Sequence, residues 1–119
     1  MWIFLNNSFI SIVEYQPAQE DVRDHLLVRA RANGDIEAFL LGASTEKAKD
    51  WTRECSVFTD NAADYHYRLI APKWLVAECL VTQVGNIDYP NFKNSVSDSE
   101  RHDAYMSVWS AMYSAYGGY

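Results

Sequence analysis

The sequence predicts an α+β domain: a small antiparallel β-sheet of about four strands, with two to four helices packed on one face. Short runs of alternating polar and apolar residues dominate the first third of the chain, and runs with helical periodicity dominate the last third. This order is typical of helices that cover one side of an antiparallel sheet. With 119 residues, 49% of them hydrophobic, the chain suits a single domain over residues 1–119 with a core of its own.

The first strands are predicted from two β-prone runs, Trp2–Leu5 and Phe9–Glu14, on either side of the polar residues Asn6-Asn7-Ser8. Two such runs joined by a short polar turn indicate a hairpin. A charged loop over 15–24 follows. The alternation in Leu26–Ala32 then predicts a third strand.

The middle of the chain is less regular. Asn33-Gly34 indicates a turn, and Asp35 is expected to cap a helix that runs to about Leu41. Residues 43–63 carry the weakest pattern. There we expect a short helix over Thr45–Glu54 and a brief strand over Ser56–Thr59.

The clearest strand is Tyr65–Ala71, in which Tyr67 is expected to face the core and Arg68 to face outward. Pro72 stands where a helix begins. The spacing of its apolar residues predicts a buried stripe, formed by Trp74, Ala77, Leu80, Val81 and Val84.

Several residues are typical of helix ends. Gly85 suits the left-handed position that closes a helix, and Asp88 suits the cap of a short helical piece that starts at Pro90. Ser97 and Glu100 have the spacing of a capping box, which would start the last helix.

Aromatic residues recur at helical spacing in that last helix: Tyr105, Val108, Trp109, Met112 and Tyr116. Tyr105 and Trp109 are expected in the core. For the tyrosines nearest the C-terminus two interpretations stay open, a buried face or a surface that contacts a partner. These partner-interface candidates are Tyr113, Tyr116 and Tyr119.

The segment Ile87-Asp88-Tyr89-Pro90-Asn91-Phe92-Lys93, followed by Tyr105-x-x-Val108-Trp109, resembles a family of short bacterial proteins of unknown function. Further similar segments follow the same order along the chain: Met1-Trp2, Phe9 to Val13, Leu27 to Arg31 and Ala63 to Arg68. The chain departs from this pattern over 42–63 and in its Gly-Gly-Tyr tail. The resemblance implies a fold type and brings no activity and no catalytic residues.

The formal net charge of −6 and the pI of about 4.9 argue against duplex nucleic acid as a direct ligand, because phosphate binding needs a basic surface. An acidic protein instead suits a basic protein partner. No stretch is long and apolar enough to predict a membrane span. Cys55 and Cys79 are expected to be reduced, which predicts a cytoplasmic protein.

No catalytic motif, metal site or cofactor site is predicted. The glycine-rich phosphate loop, the nucleophile elbow and the zinc-protease pair are missing from the sequence. His25, His66 and His102 are scattered, without the spacing of metal ligands. Asp64 and Asp88 could serve as a carboxylate pair for acid–base chemistry, but no second feature supports this, and a capping role for Asp88 is favoured.

Cationic residues lie on the outward sides of two predicted strands. If these strands pair, an anion-binding patch results, because arginine offers a planar fork of donors. The candidates are Arg29, Arg31, His66 and Arg68. The alternative is that these cations form salt bridges with nearby acids, namely Asp35, Asp64 or Glu37.

Three functions follow from these observations. The first is a non-enzymatic, intracellular protein-binding module; an anti-CRISPR-like phage antagonist of a bacterial defence system, or an immunity protein, are examples by analogy. The second is a small enzyme, or a sensor of anions or nucleotides, that uses the cationic sheet face. The third is a structural homodimer joined by the C-terminal helix.

Overall fold

The computed structural model describes residues 1–16 and 24–117, which form a five-stranded antiparallel sheet with four α-helices. This confirms the predicted α+β fold, and the strand beyond the expected four lies within the brief strand predicted over Ser56–Thr59. The strands are β1 (Trp2–Leu5), β2 (Ser8–Glu14), β3 (His25–Ala30), β4 (Phe58–Thr59) and β5 (Tyr67–Pro72), in the sheet order β1-β2-β3-β5-β4. The helices are α1 (Asp35–Leu40), α2 (Glu46–Glu54), α3 (Lys73–Gly85) and α4 (Ser99–Tyr116).

The core lies on one face of the sheet. Ile12, Val28 and Leu69 are aligned across β2, β3 and β5, and all three are buried. Since side chains alternate along a strand, the residues next to them face the other side. Tyr67 packs against the core and its neighbour Arg68 does not, which confirms the predicted alternation.

Two helices cover this face through side chains that are nearly inaccessible to solvent. Ile36 and Phe39 enter the core from α1, and Leu75 and Cys79 enter it from α3. Cys79 is a free thiol, as is Cys55, which agrees with the expectation that both are reduced. Burial raises the pKa of Cys79 to about 11, so this thiol is protonated and behaves as a small apolar side chain.

The buried stripe predicted for α3 is wrong except at Leu80, which packs against the core. Trp74, Ala77, Val81 and Val84 are exposed, and the buried side is formed by Leu75, Val76 and Cys79. The helix carries apolar residues all round, so its periodicity alone does not select a side. A close backbone contact selects it instead: a Cβ atom added at Gly42 would lie 2.6 Å from the Cys79 carbonyl oxygen.

The predicted helix in the irregular region is confirmed as α2. The Thr45 side chain accepts a hydrogen bond from the Ala48 amide at 3.2 Å and thereby caps the helix. The Glu78 carboxylate of α3 accepts hydrogen bonds from the Thr45 hydroxyl at 2.7 Å and the Ser44 amide at 2.9 Å. The hydrogen bond from the Thr45 hydroxyl, and after it that from the Ser44 amide, lower the pKa of Glu78. Both bonds attach α3 to the start of α2.

Two predicted helix caps are wrong by one residue. Gly34, with a φ of 92°, precedes α1, and Asp35 is the first residue of the helix rather than its cap. Asp98 caps α4 by accepting a hydrogen bond from the Arg101 amide at 2.8 Å, in place of Ser97. Asp98 suits the cap position as well as Ser97 does, and Gly34 takes its position because glycine adopts a positive φ without strain.

The connection between α3 and α4 also differs from the prediction. Gly85 is the last residue of α3 and does not have a left-handed conformation. The short helical piece is a 3-10 helix over Lys93–Ser95 and does not start at Pro90. Asn91 accepts a hydrogen bond from the Asn94 amide at 3.1 Å, which is the role expected of Asp88. Asp88 is exposed.

We predict opposite effects for alanine at two glycines. Gly42→Ala should lower the free energy of unfolding by about 1–3 kcal/mol, because the new methyl group meets the rigid backbone of Cys79. Gly85→Ala should raise it by about 0.5–1 kcal/mol, because open space surrounds this helical position. Urea unfolding of both variants measures the difference. A Gly42→Ala variant as stable as the wild type would contradict the packing described for α1 and α3.

Candidate functional site

A buried ion pair attaches α4 to the rest of the protein. Arg101 donates two hydrogen bonds to the Asp35 carboxylate, from Nη2 to Oδ1 at 2.7 Å and from Nη1 to Oδ2 at 3.0 Å. Only 6% of the Asp35 side chain and 17% of the Arg101 side chain are exposed. This paired geometry is the strongest that arginine and a carboxylate form.

The same carboxylate completes the sheet. The pairing of β2 with β3 begins at Ser11, opposite Arg29, so the Phe9 amide has no partner on β3. Asp35 Oδ2 accepts the hydrogen bond from this amide at 2.9 Å. An unpaired amide at this site would be costly, so Asp35 serves β2, α1 and α4 at once.

Tyr105, one helical turn after Arg101, makes the second attachment. Its hydroxyl lies 2.9 Å from the carbonyl oxygens of Leu5 and Ser8, which flank the β1–β2 turn. It accepts a hydrogen bond from Arg101 Nη1 at 3.2 Å. The ring meets that of Phe4 edge-on at 5.2 Å. Tyr105 is buried, as predicted.

Beyond this point α4 leaves the body of the protein. All ten residues of Ser107–Tyr116, which we call the outer half of α4, are exposed. The chain has no charged residue from Ala104 to its C-terminus. The prediction that Trp109 belongs to the core is wrong, since 51% of this residue is exposed. Helical spacing indicates which residues share one side of a helix, but it holds no information on how far the body of the protein extends beneath that side.

Two of the three predicted partner-interface tyrosines lie on this surface. Tyr113 and Tyr116 are exposed on the outer half of α4, together with Val108 and Met112. The rings of Trp109 and Tyr113 stack at 5.2 Å. Tyr119 lies outside the described residues.

A groove of about 840 Å³ separates α4 from the sheet edge at β1. Its lining is mainly apolar and includes Trp2, Phe4, Leu80, Phe92, Met106 and Trp109. Met1 and Ile12 exchange two backbone hydrogen bonds. Because bonded pairs alternate in an antiparallel ladder, the backbone groups of Trp2 and Phe4 point away from β2, toward the open edge. We call this feature the α4 groove.

The structure brings three of the four predicted anion-binding residues together. Arg29 and Arg68 are direct partners across β3 and β5, and Arg31 follows the end of β3. The guanidinium carbons of Arg29 and Arg31 lie 4.5 Å and 4.4 Å from the centre of the Tyr65 ring. His66 is exposed and precedes β5, and none of its described side-chain contacts joins it to this group.

The alternative of salt bridges is only partly realised. Arg31 Nη2 lies 3.9 Å from the Asp64 carboxylate, with both side chains more than half exposed. Asp35 is engaged by Arg101 instead. Glu37 is exposed and makes no ion pair within the described part of the chain.

Other candidate chemistry finds little geometric support. Within residues 1–16 and 24–117, no group of three or more His, Cys, Asp or Glu side chains is placed to hold a metal ion. A second cavity of about 390 Å³ is lined by Cys55, Glu37 and Val57. Burial raises the pKa of Cys55 and so disfavours a reactive thiolate there. Asp64 contacts Arg31 and the Tyr65 amide, and no described contact links it to Asp88.

Comparison of the chain with protein-family models, with curated proteins and with solved structures finds no match. The described helices include none with the length and apolar character needed to cross a membrane. The resemblance on Ile87–Lys93 therefore stays a prediction.

Sequence reasoning missed the pairing of Asp35 with Arg101, which are 66 positions apart. Asp35 was assigned a capping role because it follows Gly34, and Arg101 has no feature that sets it apart within α4. Neither periodicity nor spacing reports on a contact at this separation. A single sequence holds no signal for it.

We predict a pH dependence that depends on Tyr105. Burial raises the pKa of Tyr105 above its usual value, and the hydrogen bond from Arg101 only partly opposes this. A raised folded-state pKa means that the contribution of Tyr105 is complete below about pH 10 and is lost as pH rises further. Tyr105→Phe should lower the free energy of unfolding by about 1 kcal/mol at neutral pH. Above about pH 10 this difference from the wild type should become smaller.

Urea unfolding of the wild type and of Tyr105→Phe between pH 7 and pH 11 measures this deficit. Other ionisable groups are common to both proteins and cancel in the difference. If the difference in free energy of unfolding between the two proteins stayed constant across the whole range, the Tyr105 hydroxyl would not be buried in the folded protein, which would contradict the prediction.

Proposed function

We propose that the protein is a non-enzymatic binding module that holds another protein against the outer half of α4 and the adjoining α4 groove. The observation that carries this proposal is a helical segment, Ser107–Tyr116, that is uncharged and exposed along its whole length. A solvated helix normally carries charged residues on its outer side. A surface of this kind is typical of one that a partner covers.

Helix stability supports the proposal. Most helical stability in proteins comes from the packing of a helix against its neighbours. In the outer half of α4, Trp109 contacts the 3-10 helix, where the Lys93 ammonium lies 5.1 Å from the centre of the Trp109 ring, but the exposure of all ten residues leaves their packing incomplete. A partner would supply the missing packing.

Composition supports it as well. Trp109, Met112, Tyr113 and Tyr116 belong to the residue types that are enriched at the centres of protein interfaces, where charged residues are depleted. The stacked rings of Trp109 and Tyr113 form a flat, rigid surface. Such aromatic residues often supply most of the binding free energy.

The α4 groove adds a second kind of contact. It places the free backbone groups of Trp2 and Phe4 beside apolar walls from Phe92 and Met106. An open sheet edge of this type accepts a further strand through main-chain hydrogen bonds. The partner would then contact the helix with apolar side chains and β1 with an extended segment.

Charge favours a different protein over a second copy. Each chain carries a net charge of −6, so two copies repel, whereas a basic partner is attracted. The more specific function, an antagonist of a bacterial defence system or of a toxin, stays a prediction. The arginine-based alternative rests on other residues and is developed separately below.

The test compares two variants of one residue type. Trp109→Ser removes the central ring of the outer half of α4, and Trp74→Ser removes a partly exposed tryptophan of α3 that does not line the groove. Affinity capture from a bacterial cell lysate should recover a stoichiometric protein partner with the wild type and with Trp74→Ser. Recovery should fall by about tenfold or more with Trp109→Ser, which corresponds to a lost interface anchor.

Site-specific cross-linking makes the test sharper. A photoreactive amino acid at Tyr113 should form a cross-link to that partner, and the same group at Glu54, at the end of α2, should not. Three outcomes contradict the proposal: equal capture by both variants, a partner cross-linked only from Glu54, or light scattering that shows a stable homodimer lost in Trp109→Ser.

A further inference from the structure

Two arginines face each other on the side of the sheet opposite the core. Arg29 and Arg68 are register partners on β3 and β5, next to Val28 and Leu69, which face the core. Like charges placed directly opposite each other on neighbouring strands destabilise a sheet. The protein thus accepts a local repulsion that a neutral Gln or Thr at either position would remove.

Tyr65 contacts both of these arginines and a third one, Arg31. Its ring is within 4.5 Å of the guanidinium carbons of both Arg29 and Arg31. Its carbonyl oxygen accepts a hydrogen bond from Arg68 Nε at 3.1 Å. Tyr65 itself is buried. We call Arg29, Arg31 and Arg68 the arginine cluster.

The cluster is held in place before any ligand arrives. Arg29 Nη2 donates a 2.7 Å hydrogen bond to the hydroxyl of Ser11, which is itself buried. Arg29 Nε is also buried and has no hydrogen-bond partner among the residues that the structure describes. Guanidinium groups fixed by stacking and hydrogen bonds lose little conformational entropy when they bind.

The cluster carries more positive charge than the nearby described acids balance. Asp64 is the described carboxylate within ion-pair distance, at 3.9 Å from Arg31, and the exposure of both side chains makes this pair weak. The cationic cluster therefore stands out in a chain of net charge −6. A multivalent anion would relieve the repulsion and use the free N–H donors.

We propose that the arginine cluster binds a phosphate or diphosphate group, either free or carried by a small molecule. Phosphate matches the planar fork of donors that each guanidinium presents. Its charge cancels the repulsion between Arg29 and Arg68. The site uses β3, β5 and the residues around Tyr65, so it is independent of the outer half of α4.

Thermal unfolding with inorganic phosphate or pyrophosphate tests the site against sodium chloride at equal ionic strength. Pyrophosphate should raise the Tm of the wild type by about 2 °C or more over the chloride control. Arg68→Gln should abolish this rise, and its Tm in chloride should equal or exceed that of the wild type, because the repulsion is gone. Arg31→Gln, outside the strands, provides a second variant should Arg68→Gln fail to fold.

Arg53→Gln is the matched control, because Arg53 is an exposed arginine of α2 that pairs with Asp50. It should retain the full rise. AMP and ADP are tested in the same way. A rise in Tm with the inorganic anions alone assigns free phosphate as the ligand, and a larger rise with a nucleotide assigns a phosphate ester. An equal Tm in pyrophosphate and chloride for the wild type would overturn the proposal. So would a rise that persists in both Arg68→Gln and Arg31→Gln.

Discussion

The architecture depends on the carboxylate of Asp35. Its two oxygens accept hydrogen bonds from Arg101 and from the Phe9 amide, so one buried group joins the first helix, the second strand and the last helix. Such a pair favours folding only when both of its partners are present. Burying both ions costs desolvation that their attraction only roughly offsets, but removing one partner leaves an uncompensated charge inside the protein. The pair therefore specifies where α4 attaches more than it adds to stability.

The position of α4 follows from this attachment. Arg101 and Tyr105 hold the first two turns of the helix against the β1–β2 hairpin, and the ten residues after Met106 extend away from it. The Cα radius of gyration is 15.6 Å, compared with about 13.5 Å for a compact domain of this length. An uncharged surface and an open sheet edge thus lie beside each other, while the arginine cluster occupies the outer sheet face. The two proposed sites use different residues and can fail separately.

Local patterns predicted the local structure well. The alternation around Tyr67 and Arg68 identified β5 and its two faces, and the hairpin and α2 were also found. The errors arose where a local pattern had several solutions. The stripe of α3 was misplaced because the helix is apolar all round, and the contact of Gly42 with Cys79 decides its orientation. Trp109 was misplaced because its environment depends on the distant pair of Asp35 and Arg101. The arginine cluster was predictable in part, since alternation put Arg29 and Arg68 on one face.

A double-mutant cycle on Asp35 and Arg101 tests the attachment of α4 most directly. Asp35→Asn is nearly isosteric, Arg101→Gln replaces the cation with a shorter neutral polar group, and urea unfolding gives the free energy of unfolding of each single variant and of the double variant. If the pair anchors the helix as described, each single variant is strongly destabilised, the double variant loses little more, and the coupling energy is about 1.5 kcal/mol or larger. Additive effects, with a coupling energy below about 0.3 kcal/mol, would contradict the account.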